Sequence, residues 1–220
     1  VNVTGVSDDV IDANIPFTIE TGDPTSGDAN YNQLNANDVA DVPVINENVD
    51  TAGVNFSLIS GNTKEDGTTA SFTVTLNSRP SASVTIPLSS SDEGEGTVPA
   101  NVVLNDVNWK SGVSVDVTGV DDDVIDGNAP YSIITGDAFS LDNDYNALSA
   151  NEIADVSVIN EDLDAVGINV SLISGNTRED GTVATFTVTL ASQPSSPVTI
   201  PLSSSDPGEG TSPESVVIDQ

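Results

Sequence analysis

The chain has 220 residues, of which 35 are acidic and 4 are basic, and its formal net charge is -31. It has no Cys, which excludes a disulfide scaffold and a thiol active site, and its negative field disfavours nucleic acid and anionic membranes as partners while favouring cations. No segment approaches the roughly 20 apolar residues of a membrane helix. The chain starts at Val1 with no visible signal peptide, so we expect it to be a piece of a longer protein.

Short segments of alternating apolar and polar residues, rich in Val, Ile and Thr, predict β-strands along the chain. In chain order the central part of the sequence contains seven of them, at 54–60, 69–76, 83–90, 101–104, 113–119, 130–135 and 154–159. Gly, Pro, Asn and Asp separate the strands, and residues 141–152 predict a short helical turn before the last one. Seven such strands indicate an all-β fold, an antiparallel β-sandwich of immunoglobulin-like type.

The sequence repeats itself with a period of 114 residues. Residues 1–106 align with 115–220 without a gap, and 69 of the 106 aligned positions are identical. The segment SLISGNTKEDGT at 57–68 returns as SLISGNTREDGT at 171–182, and VTGVSDDVIDA at 3–13 returns as VTGVDDDVIDG at 117–127. A unit of this length is a normal size for one domain, so the repeat predicts tandem sandwiches.

Two acidic, turn-rich segments, 46–53 and 160–167, are interpreted as linkers and set the domain boundaries. Residues 51–164 are then predicted to form one complete sandwich. Residues 1–50 correspond to the last three strands of a preceding sandwich, and 165–220 to the first four strands of a following one. Two arrangements stay open: a continuous array of repeats, or a head-to-tail filament in which residues 1–50 of a neighbouring copy complete 165–220.

Acidic side chains gather in loops after the odd-numbered predicted strands, and such loops emerge at one end of an up-down sandwich. In the complete unit they are Glu65, Asp66, Asp92, Asp121, Asp122, Asp123, Asp126, Glu161, Asp162 and Asp164. Calcium prefers six to eight oxygen ligands, many of them carboxylates, whereas zinc and copper favour the His and Cys that this chain lacks. The pattern therefore predicts Ca²⁺ (Ca2+) sites at one pole of each sandwich, next to the linker.

The flanking copies carry incomplete versions of this set. Their candidate ligands are Asp8, Asp9, Asp12, Glu47 and Asp50 near the start of the chain and Glu179, Asp180 and Asp206 near its end. Ser7 replaces the first Asp of the DDDVID run, and Asn48 stands where the complete unit has Asp162. We therefore expect fewer or weaker ions at the first copy, because charged ligands set calcium affinity.

The order EDGT, then SSSD, then DDDVID after a Val-rich strand, and finally an acidic linker ending in Gly resembles the Calx-beta domain. That family occurs in sodium–calcium exchangers, in integrin β4 and in tandem arrays of bacterial surface proteins. The resemblance implies an immunoglobulin-like sandwich with calcium ions at the distal loops beside the interdomain linker. By position it implies the ligands Glu65, Asp92, Asp121, Asp122 and Asp126 and a terminal set of Glu161, Asp162 and Asp164. The terminal NEDLD is longer and more broken than the family's DDD.

These features predict a structural repeat segment of an extracellular, cell-surface stalk or filament that calcium stiffens, with neighbouring copies or adjacent repeats as its partners. We expect no enzymatic activity: carboxylate pairs serve glycoside hydrolysis, but aromatic residues to line a sugar cleft make up only 4% of the chain. Two alternatives stay open. One is an adhesin-type module that binds a carbohydrate or host protein, and the other is a halophile surface protein whose acidity serves hydration without specific calcium sites.

Overall fold

The computed structural model describes residues 1–219 and has an all-β structure. The strands are β1 Ile15–Ile19, β2 Val42–Asn46, β3 Val54–Phe56, β4 Thr63–Lys64, β5 Thr69–Leu76, β6 Val84–Ser90, β7 Gly96–Thr97, β8 Asn101–Leu104, β9 Val113–Gly119, β10 Ala129–Thr135, β11 Phe139–Ser140, β12 Val156–Glu161, β13 Ile168–Val170, β14 Val188–Leu190, β15 Val198–Pro201 and β16 Ser215–Ile218. Within residues 1–219 the helical elements are α1 Asn143–Asn146 and the 3₁₀ turns Ala36–Asp38 and Ala150–Glu152. No helix in this part of the chain has the length and apolar character needed to cross a bilayer.

Residues 51–164, called the central body below, contain two sheets that share one core. Strands β3, β5, β9 and β7 form one sheet in that order. Strands β11, β6, β10, β12 and β4 form the other, and β8 also pairs with β6. Neighbouring strands are antiparallel, except that β4 and β12 pair in parallel. The all-β prediction is confirmed, and the two sheets are consistent with the predicted sandwich.

Alternation along the strands places apolar side chains between the two sheets. On β5, Phe72 and Val74 are buried, while the intervening Thr73 is partly exposed. They belong to one cluster with Ile86 of β6 and Ile133 of β10, which lie on the opposite sheet. Full burial of such a side chain stabilises a fold by about 1.5–3 kcal/mol relative to exposure. The cluster therefore holds the sheets together and determines where the loops at their ends emerge.

Strand positions agree closely with the sequence pattern, since β5, β8 and β9 occupy the predicted 69–76, 101–104 and 113–119. The first predicted strand, 54–60, is regular only as far as β3. Beyond β3 the hydroxyl oxygens of Ser57 and Ser60 accept hydrogen bonds from the backbone N–H groups of Thr73 and Ser71. Side chains therefore replace part of the backbone hydrogen bonding between these two strands. The two-residue strands β4, β7 and β11 are too short to show any alternation in the sequence.

The helical turn predicted within 141–152 is present as α1 and the 3₁₀ turn that follows it. Asp142 caps α1 by accepting the N–H of Asp144, and its second oxygen accepts the N–H and hydroxyl of Ser81. Tyr145 is fully buried, and its hydroxyl bonds to the backbone of Ser78. These contacts close the core beside the turn that joins β5 to β6.

The N-terminal segment, residues 1–50, and the C-terminal segment, residues 165–219, form separate hairpins. β1 pairs with β2 in the first segment, and β13 pairs with β14 and β15 with β16 in the second. The N-terminal segment has two strands where the sequence predicts three, because residues 1–5 have no neighbouring strand to supply ladder hydrogen bonds. The C-terminal segment has the four predicted strands, but much of their apolar surface is exposed.

Candidate metal centre

Four loops of the central body bring carboxylates to one pole. Residues 65–68 follow β4, residues 91–95 join β6 to β7, residues 120–128 follow β9, and residues 162–164 follow β12. Parallel pairing of β4 with β12 brings the first and last of these loops together, and the N–H of Glu65 donates to the carbonyl oxygen of Glu161. We call residues 120–128 the acidic loop.

The first acidic group consists of Glu65, Asp121 and Asp164. One carboxylate oxygen from each lies within 4.8 Å of the other two. Glu65 is only 6% exposed, and one of its oxygens accepts the N–H of Leu163 at 2.7 Å. The Oδ2 atom of Asp164 is buried and has no hydrogen-bond partner. Buried polar atoms are normally partnered, so this oxygen is an exception that makes Asp164 a candidate metal ligand.

The second acidic group consists of Glu95, Asp122 and Asp126, again with one oxygen from each within 4.8 Å of the others. Glu95 lies just before β7 and is partly buried, whereas both aspartates of the acidic loop are exposed. Asn160 donates to Glu95 from its buried side chain at 3.4 Å. Asp121 and Asp122 are consecutive residues, but Asp121 belongs to the first acidic group and Asp122 to the second.

Burial and then mutual repulsion raise the pKa of three of these carboxyls. The pKa of Glu65 is raised by burial and then by the charges of Asp162, Asp164 and Asp122, against the lowering effect of the Leu163 hydrogen bond. Burial and the neighbouring aspartates Asp126, Asp92 and Asp122 raise the pKa of Glu95.

Burial also raises the pKa of Asp164, and the charges of Asp121, Asp123, Asp162 and Asp122 add to that effect. A bound divalent cation would reverse these effects, because it favours the ionised form of every neighbouring carboxylate.

The conformation of the acidic loop directs its side chains to the two groups. Asp122 accepts the N–H of Val124 at 2.8 Å, which makes a tight turn. Asp123 has a left-handed φ of 61°, and Gly127 has a φ of 82°. The N–H of Gly127 donates to Asp162 at 2.7 Å, so the loop is tied to the segment after β12. That bond and the N–H of Asp164 hold the pKa of Asp162 below its usual range.

Other predicted ligands of the central body have different contacts. Glu161 forms an ion pair with Lys64 at 2.6 Å, which lowers its pKa, and it also accepts from Asn62. Asp66 accepts the N–H and hydroxyl of Thr68. Asp92 caps the turn at Gly94 and contributes to the negative field at Glu95. These residues are near the pole but outside both acidic groups.

In the N-terminal segment Asp8, Asp12, Glu47 and Asp50 line one cavity, but within residues 1–219 no predicted ligand of either terminal segment belongs to a group of three converging carboxylate oxygens. Asp9 forms an ion pair with Lys110 at 3.0 Å, Asp180 accepts from Thr182, and Asp206 accepts from Gly208. The remaining ones, Asp8, Asp12, Glu47, Asp50 and Glu179, belong to neither acidic group. The reason is topological: in the central body each group draws on loops from both halves of the unit, and each terminal segment has only one half.

Glu95 is a candidate ligand that the sequence interpretation missed. It lies in the segment DEGEGT, between two glycines and three residues after Asp92. The available signal was its position in the same loop as a predicted ligand. The short strand β7 turns this loop toward the acidic loop, and the N–H of Val120 donates to the carbonyl oxygen of Glu95 at 3.1 Å.

The pole therefore offers six clustered carboxylates, oxygen donors only, and one buried oxygen without a partner. This donor chemistry fits a hard cation such as Ca²⁺ and does not fit a soft metal. Comparison with known protein families finds no match to the chain, and comparison with curated proteins finds no similar sequence.

Proposed function

We propose that this chain is a structural repeat segment of an extracellular stalk or filament that calcium stiffens. In this proposal each complete 114-residue unit is a Calx-beta-like, immunoglobulin-like sandwich, and Ca²⁺ binds at the two acidic groups of its pole. The main supporting observation is the buried, unpartnered Oδ2 of Asp164 beside Glu65 and Asp121. A Ca²⁺ ion would give that oxygen a partner and would offset two of the three negative charges of carboxylates that otherwise repel one another.

Stiffening would arise because the first acidic group spans the linker and the body. Asp164 is the last residue of the central body and lies in the predicted linker 160–167, whereas Glu65 and Asp121 belong to loops that follow β4 and β9. An ion held by all three would fix the linker to those loops. The acidic loop also contacts the next segment directly, because the N–H of Gln193 donates to the carbonyl oxygen of Asp123 at 2.7 Å.

The free energy required of calcium is modest. Extracellular calcium modules have Kd values of about 10⁻⁴–10⁻³ M, which suits the millimolar calcium outside cells. At millimolar calcium, about 10 times a Kd of 10⁻⁴ M, one site adds ~1.4 kcal/mol to the stability of the folded state. That is a large fraction of the stability of a typical domain.

The test is calorimetric titration of the 220-residue chain with CaCl₂, together with melting curves in calcium and in chelator. Asp164→Asn should remove one class of binding site and most of the calcium-dependent rise in Tm. Asp116→Asn, an exposed acid on the strand that precedes the acidic loop, is the matched control and should behave as the wild type. Equal titrations for both variants, or a Tm that rises as much with KCl of the same ionic strength, would contradict the proposal.

A further inference from the structure

The chain enters and leaves the central body at opposite poles. Near the entry, the carbonyl oxygen of Gly53 accepts the N–H of Asn77, just beyond the end of β5. Near the exit, Asp164 lies beside Asp121, which follows the end of β9, and this end of β9 pairs with the start of β5. Since residues precede and follow the body, tension along the chain would pull its two poles apart, along the direction of the strands.

The parallel pair of β4 and β12 lies across the path of that tension. β4 follows the entry and β12 precedes the exit, and within residues 1–219 every other strand pair is antiparallel. Tension would pull β4 back toward the entry and β12 forward toward the pole that carries the acidic groups. Parallel strands pulled in this way must slide along each other, so the bonds between them resist together. If the strands were pulled apart sideways from one end, the same bonds would break one after another.

On its inner side the pair is held by contacts that water does not reach. Thr63 is fully buried, and its hydroxyl donates to the side-chain oxygen of Asn160, which is 1% exposed, at 3.0 Å. Two residues along β4, the buried carboxylate of Glu65 accepts the N–H of Leu163 at 2.7 Å. Because hydrogen bonds are stronger in a low dielectric and water cannot replace them there, these contacts resist sliding of one strand past the other.

On its outer side the pair is held by Glu161 of β12, which has three partners among residues 62–65. Its carboxylate forms the ion pair with Lys64 at 2.6 Å and accepts from the side chain of Asn62 at 2.8 Å. Its carbonyl oxygen accepts the N–H of Glu65 at 3.3 Å. Exposed ion pairs contribute little to equilibrium stability. Under sliding, however, all three contacts of Glu161 are loaded at once.

We propose that the pair of β4 and β12 is a mechanical clamp, which resists tension along the chain in shear and sets the force at which the central body unfolds. The clamp depends on strand direction and on the contacts above, and it needs no metal. That the protein carries tension in its natural setting rests on the proposed stalk function. Rupture of the clamp releases the chain between Thr63 and Glu161, about 350 Å when fully extended, which identifies the event in a force trace.

Single-molecule force spectroscopy of the 220-residue chain in chelator tests the proposal. The chain has no Cys, so two introduced cysteines define the points of pulling. Val49→Cys with Val166→Cys loads the clamp in shear, because these exposed residues lie just before and just after the central body. Gly61→Cys with Ala154→Cys peels β4 from β12, because both residues lie two positions before their strands, at the same end of the pair.

The two peeling substitutions should leave the fold intact, since a Cβ at Gly61 meets nothing within 4 Å and Ala154 is exposed. At the same pulling speed the unfolding force should be about twice as high or more in shear as in peeling, because forced unfolding reports the barrier along the direction of pulling. Equal forces in the two directions would overturn the proposal.

A variant of the outer contacts assigns the resistance to this pair of strands. Glu161→Ala removes the partner of both Lys64 and Asn62, so it should lower the shear force clearly and the peeling force much less. Asp116→Ala, which removes an exposed acid from β9, is the matched control and should change neither force. Equal effects of the two variants on the shear force would overturn the assignment.

Repeating the shear measurement in CaCl₂ separates the clamp from the proposed function. The candidate ligands Glu65 and Asp164 follow β4 and β12 respectively, so a shared ion should raise the shear force further. A directional force that calcium leaves unchanged would support the clamp and contradict the proposed calcium stiffening. Calcium binding in calorimetry combined with equal shear and peeling forces would overturn the clamp and leave the proposed function standing.

Discussion

The backbone N–H of Gln193 donates a hydrogen bond to the carbonyl oxygen of Asp123 at 2.7 Å, and the pair repeats 114 positions earlier between Arg79 and Asp9. Both aspartates have a left-handed φ, 61° at Asp123 and 59° at Asp9. The loop that presents carboxylates to the pole of one unit therefore also presents a backbone acceptor to the following unit. The candidate metal ligands and the joint between units share one short segment.

Replacing Glu65 by Gln should change stability in opposite directions with and without calcium. In chelator the variant should melt a few degrees above the wild type at neutral pH, because it removes a buried charge near other carboxylates while Gln can still accept the N–H of Leu163. In calcium it should melt below the wild type, because a ligand is lost. Differential scanning calorimetry in both conditions measures this, and parallel shifts in the two buffers would contradict it.

Calcium binding should release protons in mildly acidic solution. The pKa values of Glu65 and Glu95 are raised above the ordinary glutamate value of about 4.3. Without metal, the stability that these two groups contribute is therefore largest at a pH below the ordinary glutamate pKa, and it is lost as the pH rises through their raised pKa values. Calcium needs the ionised forms, so it competes with protons in this same interval. Titrations in two buffers of different ionisation enthalpy should differ just above the ordinary glutamate pKa and agree at neutral pH.

The difference between buffers should shrink in Glu95→Gln, which has one fewer carboxyl with a raised pKa. Asp116→Asn serves as the control and should leave the difference unchanged, because Asp116 is exposed on the outer side of β9. Binding enthalpies that are independent of the buffer at every pH would show that the clustered carboxyls carry no proton before metal binds.

Gly119→Ala should destabilise the central body. A Cβ at Gly119 would lie 2.2 Å from the carbonyl oxygen of Lys64 and 2.6 Å from Oδ1 of Asn160, where backbone cannot move aside cheaply. The expected loss is about 1–3 kcal/mol in the free energy of unfolding, measured by urea denaturation. Gly61→Ala has open space around the added carbon and should be close to neutral. Equal effects of the two substitutions would mean that β4 does not pack against the end of β9.

Asp123→Val should loosen the joint between the central body and the C-terminal segment. A β-branched residue is strongly disfavoured at a left-handed φ, so the carbonyl that accepts from Gln193 would move. Asp123→Gly removes the same carboxylate but tolerates the backbone conformation, and it is the matched control. Distances between spin labels on the central body and on residues 165–219 should broaden for Asp123→Val only. A distribution that broadens equally for Asp123→Gly would assign the effect to the lost carboxylate.

Much of the strand pattern could be predicted because the two faces of each strand differ so clearly. The alternation of Ala70, Phe72, Val74 and Leu76 placed β5 correctly. The convergence of Glu65, Asp121 and Asp164 on one pole was also expected from the order of the loops, and the structure brings these side chains together. Their role as metal ligands stays a prediction.

Other features could not be predicted because they depend on contacts between distant residues. Glu95 joins the second acidic group only through β7, a strand of two residues that exists because Gly96 and Thr97 pair with Gly119 and Thr118. The ion pair of Glu161 with Lys64 depends in the same way on the parallel pairing of β4 with β12. Neither pairing leaves a periodic signal in the sequence.

The sequence by itself determined the all-β class, the 114-residue period and the excess of carboxylates, because these follow from residue types and their spacing along the chain. Only the tertiary structure decided how six of those carboxylates divide into two groups and that one oxygen of Asp164 is buried without a partner. The tertiary structure also decided which strands bury their apolar side chains: those of the central body do, whereas many in the two terminal segments are exposed. The physical reason is that repulsion, desolvation and packing act through distances in space, and loops far apart in the chain meet only once the two sheets have packed together.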